Sequence, residues 1–355
     1  MPDELPRRSA PTRVALALGS GGARGYAHIG VIEALRERGY DIVGVSGSSM
    51  GALVGGLHAA GRLDEFSEWA KSLTQRTILR LLDPSISAAG VMRAGKILDA
   101  VRDILGPVAI EDLRIPYTAV ATDLLAGKSV WFQRGPLDEA IRASIAIPGV
   151  IAPHAVDGRL LADGGILDPL PMAPLSAVNA DLTIAVNLSG SEAITTREAE
   201  PGATAEWLTR MLRSTSALLD TAAARSLLDR PTARAVLSRL GGPGGEPDDW
   251  SDNPEEPSSA DAVAGELAAA VSDVPKLGSF EVMNRTIDIA QAALARHTLA
   301  VYPPDLLIEV PRSTCRALEF HRAVEVIASG RALADDALDS LEAGRDDAAP
   351  PAIDR

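Results

Sequence analysis

Residues 14–60 read VALALGSGGARGYAHIGVIEALRERGYDIVGVSGSSMGALVGGLHAA. Val14–Leu18 is a short apolar run closed by glycine, the pattern of a strand buried on both faces. Gly19–Gly25 is a glycine-rich turn. From Ala27 to Arg38 apolar residues recur at Ile29, Ile32, Ala34 and Leu35 with charges between them, and Gly39 follows. That is a helix with a glycine stop. Asp41–Val45 predicts a second strand, Gly47–Gly51 a tight turn, and Ala52–Ala60 a helix apolar nearly all round and therefore buried. Strand, helix, strand, helix in this order opens a parallel α/β sheet with right-handed crossovers.

The same reading extends down the chain. Leu63–Leu82 and Lys96–Leu105 predict helices. Tyr117–Thr122 and Ser129–Phe132 predict strands around a turn at Ala126-Gly127. Leu137–Ser144 predicts a helix stopped by Pro148, and Arg159–Ala162 a short strand running into Asp163-Gly164-Gly165. Leu182–Leu188 predicts another buried strand. Composition then shifts. Thr204–Leu228 reads as an amphipathic helix, suited to packing on the core, to lidding a site or to lying on lipid. Gly241–Ser259 is rich in Gly, Pro and acid and reads as a loose loop. Periodic sequence resumes at Phe280–His297, then a strand at Leu306–Val310 and a helix at Arg316–Ser329. The expected organisation is a lead at 1–12, a core at 13–190, an insertion at 191–275, a completing segment at 276–340 and a tail at 341–355.

Composition narrows the function. The chain has 355 residues and is 46% hydrophobic, enough to bury a core without disulfide or metal staples. Its single cysteine, Cys315, allows no internal disulfide. A net charge of −14 argues against nucleic-acid partners and against bulk attraction to anionic membranes, leaving local apolar membrane contact open. No secretory leader and no apolar run long enough to span a bilayer are read, so a cytoplasmic protein is expected, with peripheral contact to the inner face of the membrane compatible.

The Gly47-Ser48-Ser49-Met50-Gly51 turn carries G-x-S-x-G between a strand and a helix. Such a turn lifts the central serine Oγ above the carboxyl edge of a sheet, at a helix N-terminus that favours negative charge. A turn of small residues used only for packing is the competing reading. Gly19–Gly25 exposes several backbone N–H groups and suits anionic oxygen. As a dinucleotide loop it fails at Arg24, where a glycine is wanted, and no acidic residue closes the second strand. Adjacent strand ends in a parallel sheet instead bring it beside Ser49 as an oxyanion hole. Gly90–Lys96 resembles a P-loop but continues with Ile97 in place of the Ser or Thr that magnesium requires.

A nucleophilic serine needs a base. Asp163-Gly164-Gly165 at the end of a short strand reads either as a common Asp-Gly turn or as a carboxylate presented to the serine. His297 and His321 stand in the right chain order to close a Ser-Asp-His triad, although neither lies in a glycine-flanked loop.

Taken in order, the glycine loop with Arg24, the Gly47–Gly51 turn and the Asp163-Gly164-Gly165 turn resemble patatin-like phospholipases, most of all the bacterial branch related to neuropathy target esterase. Arg142-Ala143-Ser144-Ile145-Ala146-Ile147-Pro148 resembles that family's Ser-x-Ala-x-Pro segment. The likeness covers about residues 13–190, and more weakly 276–330. It implies a three-layer α/β/α fold with a mostly parallel central sheet. It further implies a Ser49–Asp163 dyad without histidine and an oxyanion hole from Gly21, Gly22 and the backbone of Ala23, Arg24 and Gly25. The implied substrates are phospholipids, lysophospholipids or related esters, hydrolysed without metal or cofactor. A Ser-Asp-His esterase and a non-catalytic lipid-binding protein of the same fold remain the alternatives.

Overall fold

The structure, a computed structural model, describes residues 10–81, 95–190 and 279–348. The expected helix at 204–228, the loop at 241–259 and nearly all of the P-loop-like stretch lie outside these residues.

The described chain forms a mixed sheet in the order β5-β6-β3-β2-β1-β7-β8, with β4 on β3. Its strands are β1 (Arg13–Leu18), β2 (Asp41–Ser48), β3 (Tyr117–Asp123), β4 (Lys128–Phe132), β5 (His154–Val156), β6 (Arg159–Asp163), β7 (Leu182–Gly190) and β8 (Leu306–Pro311). β1, β2, β3, β7 and β8 run parallel, and β4, β5 and β6 are antiparallel to their neighbours. The helices are α1 (Ala27–Glu37), α2 (Met50–Ala59), α3 (Leu63–Lys71), α4 (Gln75–Leu81), α5 (Gly95–Leu105), α6 (Leu137–Ser144), α7 (Ser279–Val301) and α8 (Ala323–Ala348).

Alternation along β1 shows how the layers form. Val14, Leu16 and Leu18 point into the larger core, with Ile29, Ile32 and Leu35 of α1, Leu53 and Leu57 of α2 and Val326 and Leu338 of α8. Ala15 and Ala17 point the other way, into a smaller core with Leu170, Met172, Leu175 and Ala295 of α7. Helices therefore cover both faces of a mostly parallel sheet, the three-layer architecture expected.

Three boundaries differ from the sequence reading. The 63–82 helix is split into α3 and α4 at 72–74, where Ser72 Oγ donates to the Trp69 carbonyl at 2.6 Å. The late helix begins at Ala323 instead of Arg316, because Ala317 gives its carbonyl to Ala23 N–H at 2.8 Å and holds 312–322 in an irregular path. That helix then continues to Ala348, through residues expected to be tail, with Leu338 fully buried in the larger core.

Candidate active site

The sheet register brings the candidate residues together. β2 pairs with β3 as far as Ser48 opposite Val120. β6 pairs antiparallel with β3 starting at Asp163 opposite Ala121. β4 pairs with β3 over Ala119–Asp123, overlapping both stretches. A strand has only two hydrogen-bonding edges, so β2 and β6 must share the edge that β4 leaves free. They approach along it head-on and stop against adjacent β3 residues. Ser49 is the first residue past one end, and Asp163 is the last residue of the other. Ser49 Oγ donates to Asp163 Oδ2 at 2.5 Å, with both residues buried.

Neither chain can run on, so each leaves the sheet abruptly. Ser49 does so at φ 55, ψ −123, a left-handed conformation rare for a residue with a side chain and worth about 1–3 kcal/mol of strain. Glycine at 51 serves close approach, since a Cβ there would strike the Leu18 carbonyl of the neighbouring strand. Past Asp163, a Cβ at Gly164 would strike the Val120 carbonyl and Ser48 Oγ. The strain thus sits on the serine, and the flanking glycines make room.

A serine from α6 clamps the meeting point. Ser49 N–H donates to Ser144 Oγ at 2.9 Å, and Ser144 Oγ donates to the Val120 carbonyl at 2.6 Å. Two residues on, the Ala146 carbonyl accepts from Asp163 N–H at 3.0 Å. Thr122 Oγ1 donates to the Asp163 carbonyl at 2.9 Å. The Ser144–Pro148 segment therefore holds both partners. Its role was not readable from spacing, because the bonds span chain separations that no local pattern encodes.

Asp163 accepts twice, from Ser49 and, through Oδ1, from Gly165 N–H at 2.8 Å. Burial raises its pKa to about 6, against the pull of those two hydrogen bonds in the other direction. The direct contact with Ser49 leaves no place for an intervening histidine. His297 is exposed on α7, His321 lies in a short turn, and neither hydrogen-bonds to Ser49 or Asp163. His154 pairs with Glu139.

The glycine loop follows β1, whose Leu18 pairs with Gly47 of β2, so it flanks the serine turn. Gly19 N–H donates to Val186 and Ser20 N–H to Pro169, at 3.0 and 2.7 Å. Among the described residues the N–H groups of Gly21 and Gly22 meet no protein acceptor. Ala23 N–H is committed to Ala317, which removes it from the expected donors, and Arg24 and Gly25 lie inside a short 3-10 turn. Gly22 has φ +58, and a Cβ there would strike the Ala317 carbonyl.

Two buried side chains fix this loop. Arg24, 4% exposed, donates from Nε to the Gly21 carbonyl at 3.2 Å and pairs through Nη2 with Asp288 at 3.4 Å. His28, fully buried on α1, meets the Gly19 carbonyl at 2.8 Å through Nε2. A carbonyl only accepts, so Nε2 carries the proton. Burial lowers the His28 pKa to about 4, despite the opposing hydrogen bond to Gly19, which keeps the ring neutral near pH 7. His28 stands four residues past Arg24, and that spacing is the signal the sequence offers for a shared task.

The chain matches the family model for patatin-like phospholipase over residues 16–176. It is 77% identical over 350 residues to an uncharacterized NTE family protein of Mycobacterium bovis, covering 98% of this chain and 97% of that protein. A counterpart in Mycobacterium tuberculosis gives the same identity and coverage. Neuropathy target esterase sws of Drosophila melanogaster is 34% identical over 186 residues, 50% of this chain and 13% of that much longer protein. The crystal structure of VipD from Legionella pneumophila aligns with a TM-score of 0.42 at 14% identity, covering 94% of this chain and 67% of that one, too slight a likeness to carry an argument. By its identity to near-full-length relatives and by the domain match, the chain belongs to the NTE family and carries a patatin-like phospholipase domain.

Proposed function

We propose that this protein is a serine acyl hydrolase that cleaves phospholipid, lysophospholipid or related carboxylic esters with a Ser49–Asp163 dyad. The observation that carries the reading is the 2.5 Å hydrogen bond from Ser49 Oγ to Asp163 Oδ2, where two strands end against one another.

As Ser49 Oγ attacks the ester carbonyl carbon, its proton passes to Asp163. The carbonyl oxygen becomes an oxyanion that accepts hydrogen bonds from Gly21 and Gly22 N–H. The intermediate collapses, the alcohol leaves with the proton from Asp163, and an acyl-serine remains. Asp163 then takes a proton from water as that water attacks the acyl carbon, and the second intermediate collapses as Ser49 Oγ leaves with that proton, releasing the acid. A base with pKa about 6 is ionised at neutral pH yet accepts a proton more readily than an ordinary carboxylate. Each oxyanion donor is worth about 3–4 kcal/mol in comparable sites.

Support for lipid esters comes from the phospholipase domain match and the esterase relative. Peripheral membrane contact and a cytoplasmic location accord with this reading; among the described residues no helix is long and apolar enough to cross a membrane. The test is labelling with a fluorophosphonate probe, with the adduct mapped by mass spectrometry. Modification of Ser49 in folded protein, lost in Ser49→Ala, is expected. Folded protein that resists the probe and hydrolyses no ester would sink the proposal.

A further inference from the structure

The base turn and the glycine loop meet at Gly165. A Cβ there would lie 2.3 Å from Ser20 Oγ and 2.7 Å from Gln291 Nε2, so two polar side chains reach one point from different elements. Ser20 precedes the Gly21 and Gly22 donors, and Gly165 N–H is bonded to Asp163 Oδ1, so that point lies between the oxyanion loop and the base. Gln291 comes from α7, beyond the 16–176 domain match. Its helix is fastened on both sides of it. Asp288, one turn earlier, pairs with Arg24, and Ala295, one turn later, is buried in the smaller core. Gln291 is therefore held on the face of α7 turned to the base turn.

Both side chains are more than nine-tenths buried, Ser20 at 5% exposed and Gln291 at 7%. Among the described residues neither the Ser20 hydroxyl nor the Gln291 carboxamide makes a hydrogen bond. A carboxamide offers two donors and two acceptor sites, and a buried polar group left without a partner costs about 1–3 kcal/mol. Two such groups packed against one glycine call for something to bond. Solvent reaches their polar atoms, unlike Ser48 Oγ beside Gly164, which has no partner and is sealed. A hydroxyl and a carboxamide together fit a small neutral group that both donates and accepts.

We infer that Ser20 and Gln291 hold the water that hydrolyses the acyl-serine. Water has two hydrogens and two lone pairs. One hydrogen goes to Asp163 and the other to Ser20 Oγ. Gln291 Nε2–H donates to one lone pair, which leaves the other for the acyl carbon. As the new C–O bond forms, the carbonyl electrons move to the oxyanion and the water's proton passes to Asp163. The bond from the acyl carbon to Ser49 Oγ then breaks, and Ser49 Oγ takes that proton. Water held this way is oriented before it reacts, which lowers the barrier of the second step. The inference rests on the proposed Ser49–Asp163 dyad and adds two residues to its second half.

Gln291→Leu and Ser20→Ala test it in the full chain. The acyl-enzyme made with a p-nitrophenyl ester is followed through formation and loss by quenched flow and intact-mass spectrometry. Loss of the acyl group is expected to slow by about tenfold or more in each variant, so that acyl-Ser49 accumulates. Fluorophosphonate labelling uses Ser49, Asp163 and the oxyanion loop but no water, and its rate is expected to stay within about twofold of the parent. Hydroxylamine, an acceptor that needs no base, should restore turnover. Unchanged acyl-enzyme loss in both variants overturns the inference. So does a parallel fall in labelling and hydrolysis, which marks a packing role. With parent Ser49 labelled, either result leaves the dyad standing. A parent that resists the probe and forms no acyl-enzyme removes the dyad itself, and the inference with it.

Discussion

The nucleophile turn and the base turn end two strands against adjacent residues of β3, yet they are built differently. Ser49 sits at φ 55, in a conformation that its side chain resists. Asp163 leaves β6 at φ −48, ψ 131, an ordinary conformation, and its side chain caps the turn by accepting from Gly165 N–H. The first turn holds strain and is clamped from outside by Ser144. The second holds electrostatic cost, a carboxylate almost wholly removed from water. One half of the proposed dyad is expensive in backbone geometry and the other in desolvation, so the two halves should respond to different perturbations.

The largest effect expected is on the base side. Asp163→Asn keeps the shape and the acceptor for Gly165 but removes the base, and turnover should fall by about 10²–10⁴-fold. Stability should move the other way. The Asp163 pKa rises from 3.8 unfolded to about 6 folded, so the folded state holds its proton more tightly. Stability from this group is therefore lost as pH rises from about 4 to 6, and at pH 7 the asparagine variant escapes that loss. Its thermal midpoint should equal or exceed that of the parent protein, and a clear fall would refute the desolvation account. In the parent, kcat/KM should rise with pH through about 6 and level off above, since Asp163 must be ionised to accept the serine proton.

A smaller effect separates the oxyanion loop from the base. His28→Leu removes the donor to Gly19 while retaining bulk, and should lower kcat by about tenfold or more with KM little changed. The acid limb near pH 6 should stay in place, because His28 is not the titrating base. His28→Gln, which restores an N–H, should recover part of the loss. A shifted acid limb in His28→Leu would show that the two halves are coupled.

The same contrast explains what the sequence disclosed. The nucleophile turn is local: Asp41–Val45, the small-residue turn and the apolar helix are consecutive, and their order alone places Ser49 at a strand end. The base turn is local only as a turn. Asp163 reaches Ser49 because β6 takes over the edge of β3 that β2 vacates, a register set by pairings between distant segments. From the residues alone the plain Asp-Gly turn is the slightly favoured reading, and the base role comes from the resemblance. Thr122 and Ala317 act through bonds to backbone groups far along the chain, so nothing in their neighbourhood announces them, and Ser144 stands out only through the resemblance of its segment, without its task. The proposed oxyanion donors exclude Ala23 because its N–H is bonded to Ala317, a contact between distant segments.

Ser144→Ala should expose the clamp directly. It leaves Ser49 N–H and the Val120 carbonyl buried without their partner, at a cost of about 1–3 kcal/mol. Denaturant unfolding should show the loss. Turnover should fall at the plateau above pH 7, since the clamp orients the nucleophile and does not touch the carboxylate. Unchanged stability would mean that another group, or water, takes up the freed donor.

The smallest expected difference isolates the strain. Ser49→Ala and Ser49→Gly both remove the hydroxyl and its bond to Asp163, so they share that loss. Alanine must still adopt φ 55, whereas glycine adopts it freely. Glycine carries an opposing penalty through the greater freedom of its unfolded chain, about 0.4–1 kcal/mol, against a strain of about 1–3 kcal/mol. Ser49→Gly should therefore be more stable than Ser49→Ala by about 1 kcal/mol in denaturant unfolding. The matching substitution on the other turn should do the reverse. At Asp163 the backbone is already relaxed, so glycine gains nothing there; both variants lose the cap on Gly165 N–H, and the freer unfolded chain of Asp163→Gly should make it less stable than Asp163→Ala. If glycine proved favourable at both positions, or at neither, the division of cost between backbone and carboxylate would fail.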